Sequence, residues 1–217
     1  MTRVTVVGGS GYAGAHIAEA AAVRGFAVTS VTRGEVAQQL AGVTYTRGSI
    51  LDPADRARWI AGSDVIVVAI SPRGDMSGET RRAIAELATE VADAPAPGVR
   101  LGVVGGAGSL LQSPGGPRVM DGPDFPAEIQ AEAAEMGDVL EDLRATPERL
   151  DWFYVSPAGG FGPWAAGEYT GEYRLGGDVI LTDDAGNSNI SGADFGVAVV
   201  DEIETPEHRR QRFTLAY

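Results

Sequence analysis

The feature that most constrains this chain is the run Gly8-Gly9-Ser10-Gly11-Tyr12-Ala13-Gly14, set between the apolar Thr5-Val6-Val7 and a helical pattern that begins at Ala13. A strand that ends in closely spaced glycines and turns at once into a helix delivers free backbone N–H groups to a helix N-terminus, where the dipole favours an anion. Glycine also lets the backbone approach a pyrophosphate with no side chain in the way. Two spacings are satisfied together, G-x-G-x-x-G at 9, 11 and 14 and G-x-x-G-x-x-G at 8, 11 and 14. Residues 8–14, Ser10, Tyr12 and Ala13 included, are therefore expected to cradle the pyrophosphate of a nicotinamide dinucleotide.

The rest of the chain repeats the strand-then-helix alternation. Short Val- and Ile-rich runs at Val4–Val7, Ala27–Val31, Thr44–Arg47, Val65–Ile70, Leu101–Val104 and Trp152–Val155 read as strands. Between them, Ala13–Arg24, Pro53–Ile60, Gly78–Val91 and Pro126–Arg144 read as helices. Continuous apolar strands separated by helices belong to a parallel sheet covered on both faces. The expected fold is α/β, a Rossmann doubly wound parallel sheet forming one domain over 1–217, with a small C-terminal, substrate-side appendage from about residue 156. That appendage comprises short segments at Tyr173–Leu175, Val179–Leu181 and Asn189–Ser191, a helix from about Ala193 to Ile203 and a last strand, Arg212–Ala216. Gly- and Pro-rich Gly105–Pro126 reads as a mobile loop beside the site.

Composition removes several chemistries. The 17 basic residues stand against 30 acidic ones, a formal charge of −13 that disfavours nucleic acid. All 17 are arginine; without lysine there is no Schiff base, no Walker lysine and no Tyr-x-x-x-Lys pair. Absence of cysteine excludes thiolate chemistry and cysteine-bound metal. No apolar run is long enough to span a bilayer, and the start of the chain reads directly into a strand, so the expected location is cytoplasmic.

The ends of the predicted strands supply the remaining site candidates. Arg33 follows the second strand, where an acid would take the ribose 2′-hydroxyl of NAD and an arginine the 2′-phosphate of NADP. No acid precedes it, so NADP is the favoured cofactor, with NAD possible because Glu35 is near enough to take a ribose hydroxyl. Asp52 either approaches the adenine or caps the helix that begins at Pro53. Small residues at Ala69-Ile70-Ser71, Gly105-Gly106-Ala107 and Ser156-Pro157-Ala158 leave room for a nicotinamide ribose. Ser109 is the hydroxyl of its glycine-rich loop and the candidate catalytic residue. Tyr12 either covers the pyrophosphate or packs in the turn, while Asp121, Asp124, Phe125, Trp164 and Tyr169 are candidates for an acceptor pocket. His16 and His208 have no second histidine at ligand spacing, and no metal site is expected.

On the residues Gly8–Gly14, Val104–Leu110, Asp124-Phe125-Pro126, Asp151-Trp152 with Ser156-Pro157, Thr170-Gly171, Tyr173–Gly176, Ile190-Ser191 and Asp194-Phe195, the chain resembles the NAD(P)H-binding, NmrA-like group of atypical short-chain dehydrogenases/reductases, in particular its NADH-flavin reductase-like proteins. Asp201–Glu204 and Arg212–Thr214 fit as well. The resemblance implies a Rossmann fold, NAD(P) binding and reduction of a flavin, quinone or similar small planar acceptor. It leaves open a non-catalytic NAD(P) sensor and an epimerase or dehydratase. Ordinary short-chain dehydrogenases carry a catalytic tyrosine where this chain has Ile129 and Gln130, so hydride would pass directly to a conjugated ring, with water or Ser109 handling any proton. The expected partner is that small molecule, with no nucleic acid and no membrane, in a monomer or homodimer.

Overall fold

A computed structural model describes residues 1–95 and 98–217. Five strands and three helices alternate from the start: β1 (Arg3–Val7), α1 (Tyr12–Val23), β2 (Ala27–Thr32), β3 (Val43–Arg47), α2 (Pro53–Gly62), β4 (Val65–Val68), α3 (Thr80–Asp93) and β5 (Arg100–Val104). After them come α4 (Gln130–Arg144), β6 (Trp152–Ser156), β7 (Arg174–Gly176), α5 (Gly192–Glu204) and β8 (Gln211–Ala216). All eight strands form one sheet in the order β3-β2-β1-β4-β5-β6-β8-β7. Every pairing is parallel except that of β7 with β8. The fold is thus the doubly wound α/β sheet expected.

Two-residue alternation along the strands divides the core between the two faces of the sheet. Ile66 and Val68 of β4 and Trp152 and Tyr154 of β6 join Trp59, Ile84, Leu87 and Leu140 on the side covered by α2, α3 and α4. Val65, Val67, Phe153 and Val155 point the other way, to Ile17 and Ala21 of α1 and Phe195 and Val199 of α5. The order reverses at β1, which has β2 on one side and β4 on the other. Open α/β sheets bind ligands beyond the strand ends at such a reversal, and the glycine turn leaves β1 there.

Several boundaries differ from expectation. β4 stops at Val68 rather than Ile70, although the Ala69 amide still donates to Val7 O at 2.8 Å. α3 begins at Thr80, not Gly78, because a single tight turn at Gly74–Met76 comes first and Ser77 is extended. α4 begins at Gln130 rather than Pro126, which is itself extended and leads into a tight turn at Ala127–Ile129. Val179 makes only an isolated bridge with Leu111. Residues 105–126 are pinned rather than loose: Leu110 and Met120 are buried, Val119 N–H donates to Leu110 O, and Leu111 exchanges backbone hydrogen bonds with Asp178 and Ile180. Residues from 156 onward also do more than border a site, since β8 and β7 extend the sheet and α5 covers one face of it. Among the described residues no helix is long and apolar enough to cross a membrane.

Candidate functional site

Each glycine of the turn has its own physical reason. Gly8 has φ +86°, and a Cβ there would lie 2.5 Å from Ala69 O, so β1 and β4 separate around a residue that can carry no side chain. At Gly14 a Cβ would lie 2.3 Å from Gly8 O, which lets α1 start directly against the turn. Gly9 rests on Ser30 of β2. Gly11 differs, because a Cβ there would meet only Gly8 O, at 3.3 Å, and so would project outward. The turn is tied down by Gly8 and Gly9 N–H to Val31 O and by Gly11 N–H to Gly8 O.

The helix that follows is left bare at its start. Gly11 is the N-cap residue of α1 and contributes no side-chain hydrogen bond, and the first turn holds no acid. The first intrahelical bond runs from Ala15 N–H to Gly11 O, so the amides of Tyr12, Ala13 and Gly14 precede it. An outward-facing Cα–H at Gly11 beneath these donors fits a pyrophosphate. The Tyr12 ring packs edge-on against His16, centroids 4.9 Å apart, and tilts against Phe161 at 5.2 Å, with its hydroxyl donating to Ala166 O. It therefore ties α1 to the segment after β6. Burial lowers the His16 imidazole below its usual range and raises the Tyr12 phenol above its own.

Arg33, Glu35 and Asp52, the residues expected near the adenosine, all have partners. Arg33, directly after β2, pairs with Asp75 on the turn after β4. Glu35 pairs with Arg47 at 2.8 Å. Asp52 caps α2, accepting from Ala54 N–H at 2.8 Å, so the capping role is the one the structure displays. Ala69 and Ile70 border Gly8, and Ser71 is exposed just beyond them.

Among the residues expected to border the nicotinamide ribose, Gly105 is small because a Cβ would fall 2.1 Å from the Tyr154 hydroxyl, whereas Gly106 faces open space and is followed by half-buried Ala107. Ser109 is mostly buried. Its Oγ and its carbonyl each accept from Nη1 of Arg212 at 3.1 Å, and Arg212 Nε donates to Asp178 at 2.7 Å. The Tyr154 hydroxyl donates to Met136 O at 2.8 Å, and burial pushes this phenol well above its usual range. It stays protonated and spent, so β6 offers no substitute for the tyrosine missing from α4. Ser156, Pro157 and Ala158 are buried, Ala158 in the core beneath α1 and α5, so Gly159 and Gly160 are the residues of that turn that reach the surface. Ser156 Oγ has no hydrogen-bond partner among the described residues.

The acceptor candidates scatter. Asp121 is held by Arg118 at 2.9 Å, Asp124 is exposed, and Phe125 is half-buried beside Gly108. Trp164 and Tyr169 are 71% and 63% exposed, on the segment between β6 and β7. His208 is committed to Glu202 at 2.7 Å and stacks on Phe213. No group of three or more acid or histidine side chains able to hold a metal occurs among the described residues.

Two clusters escape a reading by residue type. One is Ser109–Arg212–Asp178; Arg212 lies 103 positions from Ser109, and only the insertion of β8 beside β6 brings them together. The other surrounds Asp194 of α5, a fully buried carboxylate that accepts from Thr170 N–H and hydroxyl, Gly171 N–H, the Ser191 hydroxyl and the Tyr217 hydroxyl, the last at 2.6 Å. The Tyr217 oxygen in turn accepts from Ser191 N–H at 3.1 Å. A buried acid beside a helix N-cap serine was the available signal.

Comparison with known proteins gives a family and several relatives of the same fold. Residues 8–206 match the NAD(P)H-binding family. The chain is 35% identical to the uncharacterized Bacillus subtilis protein YwnB, over 98% of this chain and 97% of that one. It is 30% identical to a candidate epimerase of Bacteroides thetaiotaomicron, with a TM-score of 0.86 and coverage of 100% and 97%. A candidate NADH-flavin reductase of Streptococcus pneumoniae is 32% identical, with a TM-score of 0.81 and coverage of 100% and 99%.

Proposed function

The chain belongs to the NAD(P)H-binding family, in keeping with its resemblance to NmrA-like atypical short-chain dehydrogenases, and from that premise we propose that it is a reductase using NADPH in preference to NADH to reduce a small planar acceptor such as a flavin or quinone. The observation that carries the reading is the bare start of α1: a helix N-terminus with no capping side chain and no acid, over a turn whose outward position is glycine.

Gly8–Gly14 would hold the pyrophosphate through backbone amides, and Arg33 would take the 2′-phosphate. The bound dinucleotide supplies a hydride. What the protein contributes is orientation, with Gly106 leaving space beside the end of β5 and the exposed rings of Trp164 and Tyr169 offering a flat acceptor a surface. The chain has no lysine and Tyr154 is spent on Met136 O, so no Tyr–Lys pair stands ready to protonate an alkoxide. That favours acceptors whose reduction needs no positioned acid. The name of the Streptococcus relative points the same way.

A second reading, a non-catalytic NAD(P) sensor, draws support from Ser109, whose hydroxyl is engaged by Arg212. An epimerase would need an acid–base pair, for which the same absence is unfavourable. Steady-state oxidation of NADPH by the purified protein, run against flavins, quinones, ketones and aldehydes, separates these readings. Turnover with flavins or quinones but poor turnover with ketones is the expected result. Rapid ketone reduction alone would refute the reductase reading, and tight dinucleotide binding with no turnover would favour the sensor.

A further inference from the structure

Arg33 and Asp75 meet across the mouth of the proposed nucleotide site. Arg33 follows β2, Asp75 sits on the turn after β4, and β1 with its glycine turn lies between them. The two strand exits are two inter-strand spacings apart, roughly 10 Å, a gap that an arginine and an aspartate can close together. Nη1 of Arg33 donates to Oδ2 of Asp75 there. Both side chains are largely exposed, at 59% and 71%, so an ion pair of this kind does little to hold the fold.

Arg33 is not singular in being engaged. With 30 acids against 17 arginines, the guanidinium groups are spent on carboxylates across the surface, and Arg174 and Arg210 are spent on carbonyls. Arg47, one strand further out, is held by Glu35. A 2′-phosphate arriving at β2 therefore meets guanidinium groups already paired with carboxylates, and at Arg33 it must share the group with Asp75, which holds Nη1.

Resting on the nucleotide reading above, we propose that Asp75 is a specificity-determining residue that competes with the adenosine 2′-phosphate for Arg33 and so narrows the preference for NADPH over NADH. NADPH must share Arg33 with the Asp75 carboxylate and tolerate that negative charge nearby, whereas NADH presents a neutral hydroxyl and leaves the pair intact. The hydrogen bond and charge of Arg33 hold the Asp75 carboxyl below the usual carboxylate range, so the competitor is ionised at neutral pH.

The test is a set of dissociation constants for NADPH and NADH, measured by calorimetry on the wild type, Asp75→Asn, Arg33→Ala and the double variant, with circular dichroism to confirm the fold. Asp75→Asn should tighten NADPH by about threefold to fivefold, the scale of one exposed ion pair, and leave NADH unchanged. In the Arg33→Ala background the same change should do nothing. That arm separates competition for Arg33 from simple repulsion, which would persist without the arginine. Equal tightening in both backgrounds, equal tightening of both dinucleotides, or no change in NADPH would overturn the proposal. A wild type that binds neither dinucleotide would overturn the nucleotide reading first, and the role of Asp75 with it.

Discussion

α1 and α5 lie against each other on one face of the sheet, so closely that a Cβ on Gly196 of α5 would fall 2.4 Å from the His16 carbonyl of α1, yet their N-termini are built in opposite ways. α5 opens with Ser191, whose hydroxyl accepts from Asp194 N–H at 3.0 Å and donates back to its carboxylate. That carboxylate in turn fastens Thr170, Gly171 and Tyr217. α1 opens with a glycine and nothing else. Two helices of similar length, 12 and 13 residues, thus spend their dipoles differently, one on the protein's own structure and the other left uncapped, where the proposed function puts the dinucleotide. Changes at the α5 start should move stability and spare the nucleotide, and changes at the α1 start should do the reverse.

The largest effect is expected at Asp194. Replacing it by alanine takes the buried acceptor from five donors, those of Thr170, Gly171, Ser191 and Tyr217, and Asp194→Ala should lower unfolding free energy by about 3–5 kcal/mol in urea denaturation. Burial by itself would raise this carboxyl, but the hydrogen bonds from Tyr217, Thr170, Ser191 and Gly171 win and hold it below its usual range. Its contribution is then fully present above the unfolded value of about 4 and drains away as pH falls through the lower folded value. Acid unfolding of the variant should lack that component. A variant as stable as the parent would show that the α5 start is not an anchor.

Next in size is Gly11→Val. The side chain would project outward, so stability should stay within about 1 kcal/mol while dinucleotide affinity falls more than about 100-fold. Loss of fold, or an unchanged affinity measured by calorimetry, would remove the distinction between the two helix starts.

These contrasts bear on how much could be read in advance. Gly8–Gly14 was legible because local chemistry decides it: apolar strand, closely spaced glycines, apolar helix, all within about twenty residues. The alternation of strands and helices was legible for the same reason. What escaped depends on neighbours far apart in sequence. Nothing near Arg33 announces Asp75, 42 positions on, because their meeting follows from the crossover that puts β4 on the far side of β1. Ser109 read as a free hydroxyl because Arg212 reaches it only through β8. Ser156 and Ala158 looked like an open turn, yet both are buried, Ala158 in the core against α1 and α5. Helix starts slipped where a proline or an extended serine delayed the first helical residue, as at Pro126 and Ser77.

The smallest expected effect is at Ser191. Ser191→Ala removes the cap of α5 and should cost about 1 kcal/mol, with nucleotide affinity unchanged. Thermal unfolding beside a binding titration measures both at once, and a drop in affinity without a drop in stability would reverse the assignment of the two helices.

The position of β8 carries a consequence for how the chain is made. It follows β7 in sequence but lies inside it in the sheet, between β6 and β7. As the polypeptide emerges from the ribosome, β1 to β6 can assemble in order, but the strand that Arg174–Gly176 pair with has not yet been made. They must wait until Gln211–Ala216 have been added and have slid in beside β6. Until then the β6 margin, from Trp152 to Ser156, is an unprotected apolar edge. That edge therefore waits open for β8 while β1 to β5 already have their neighbours.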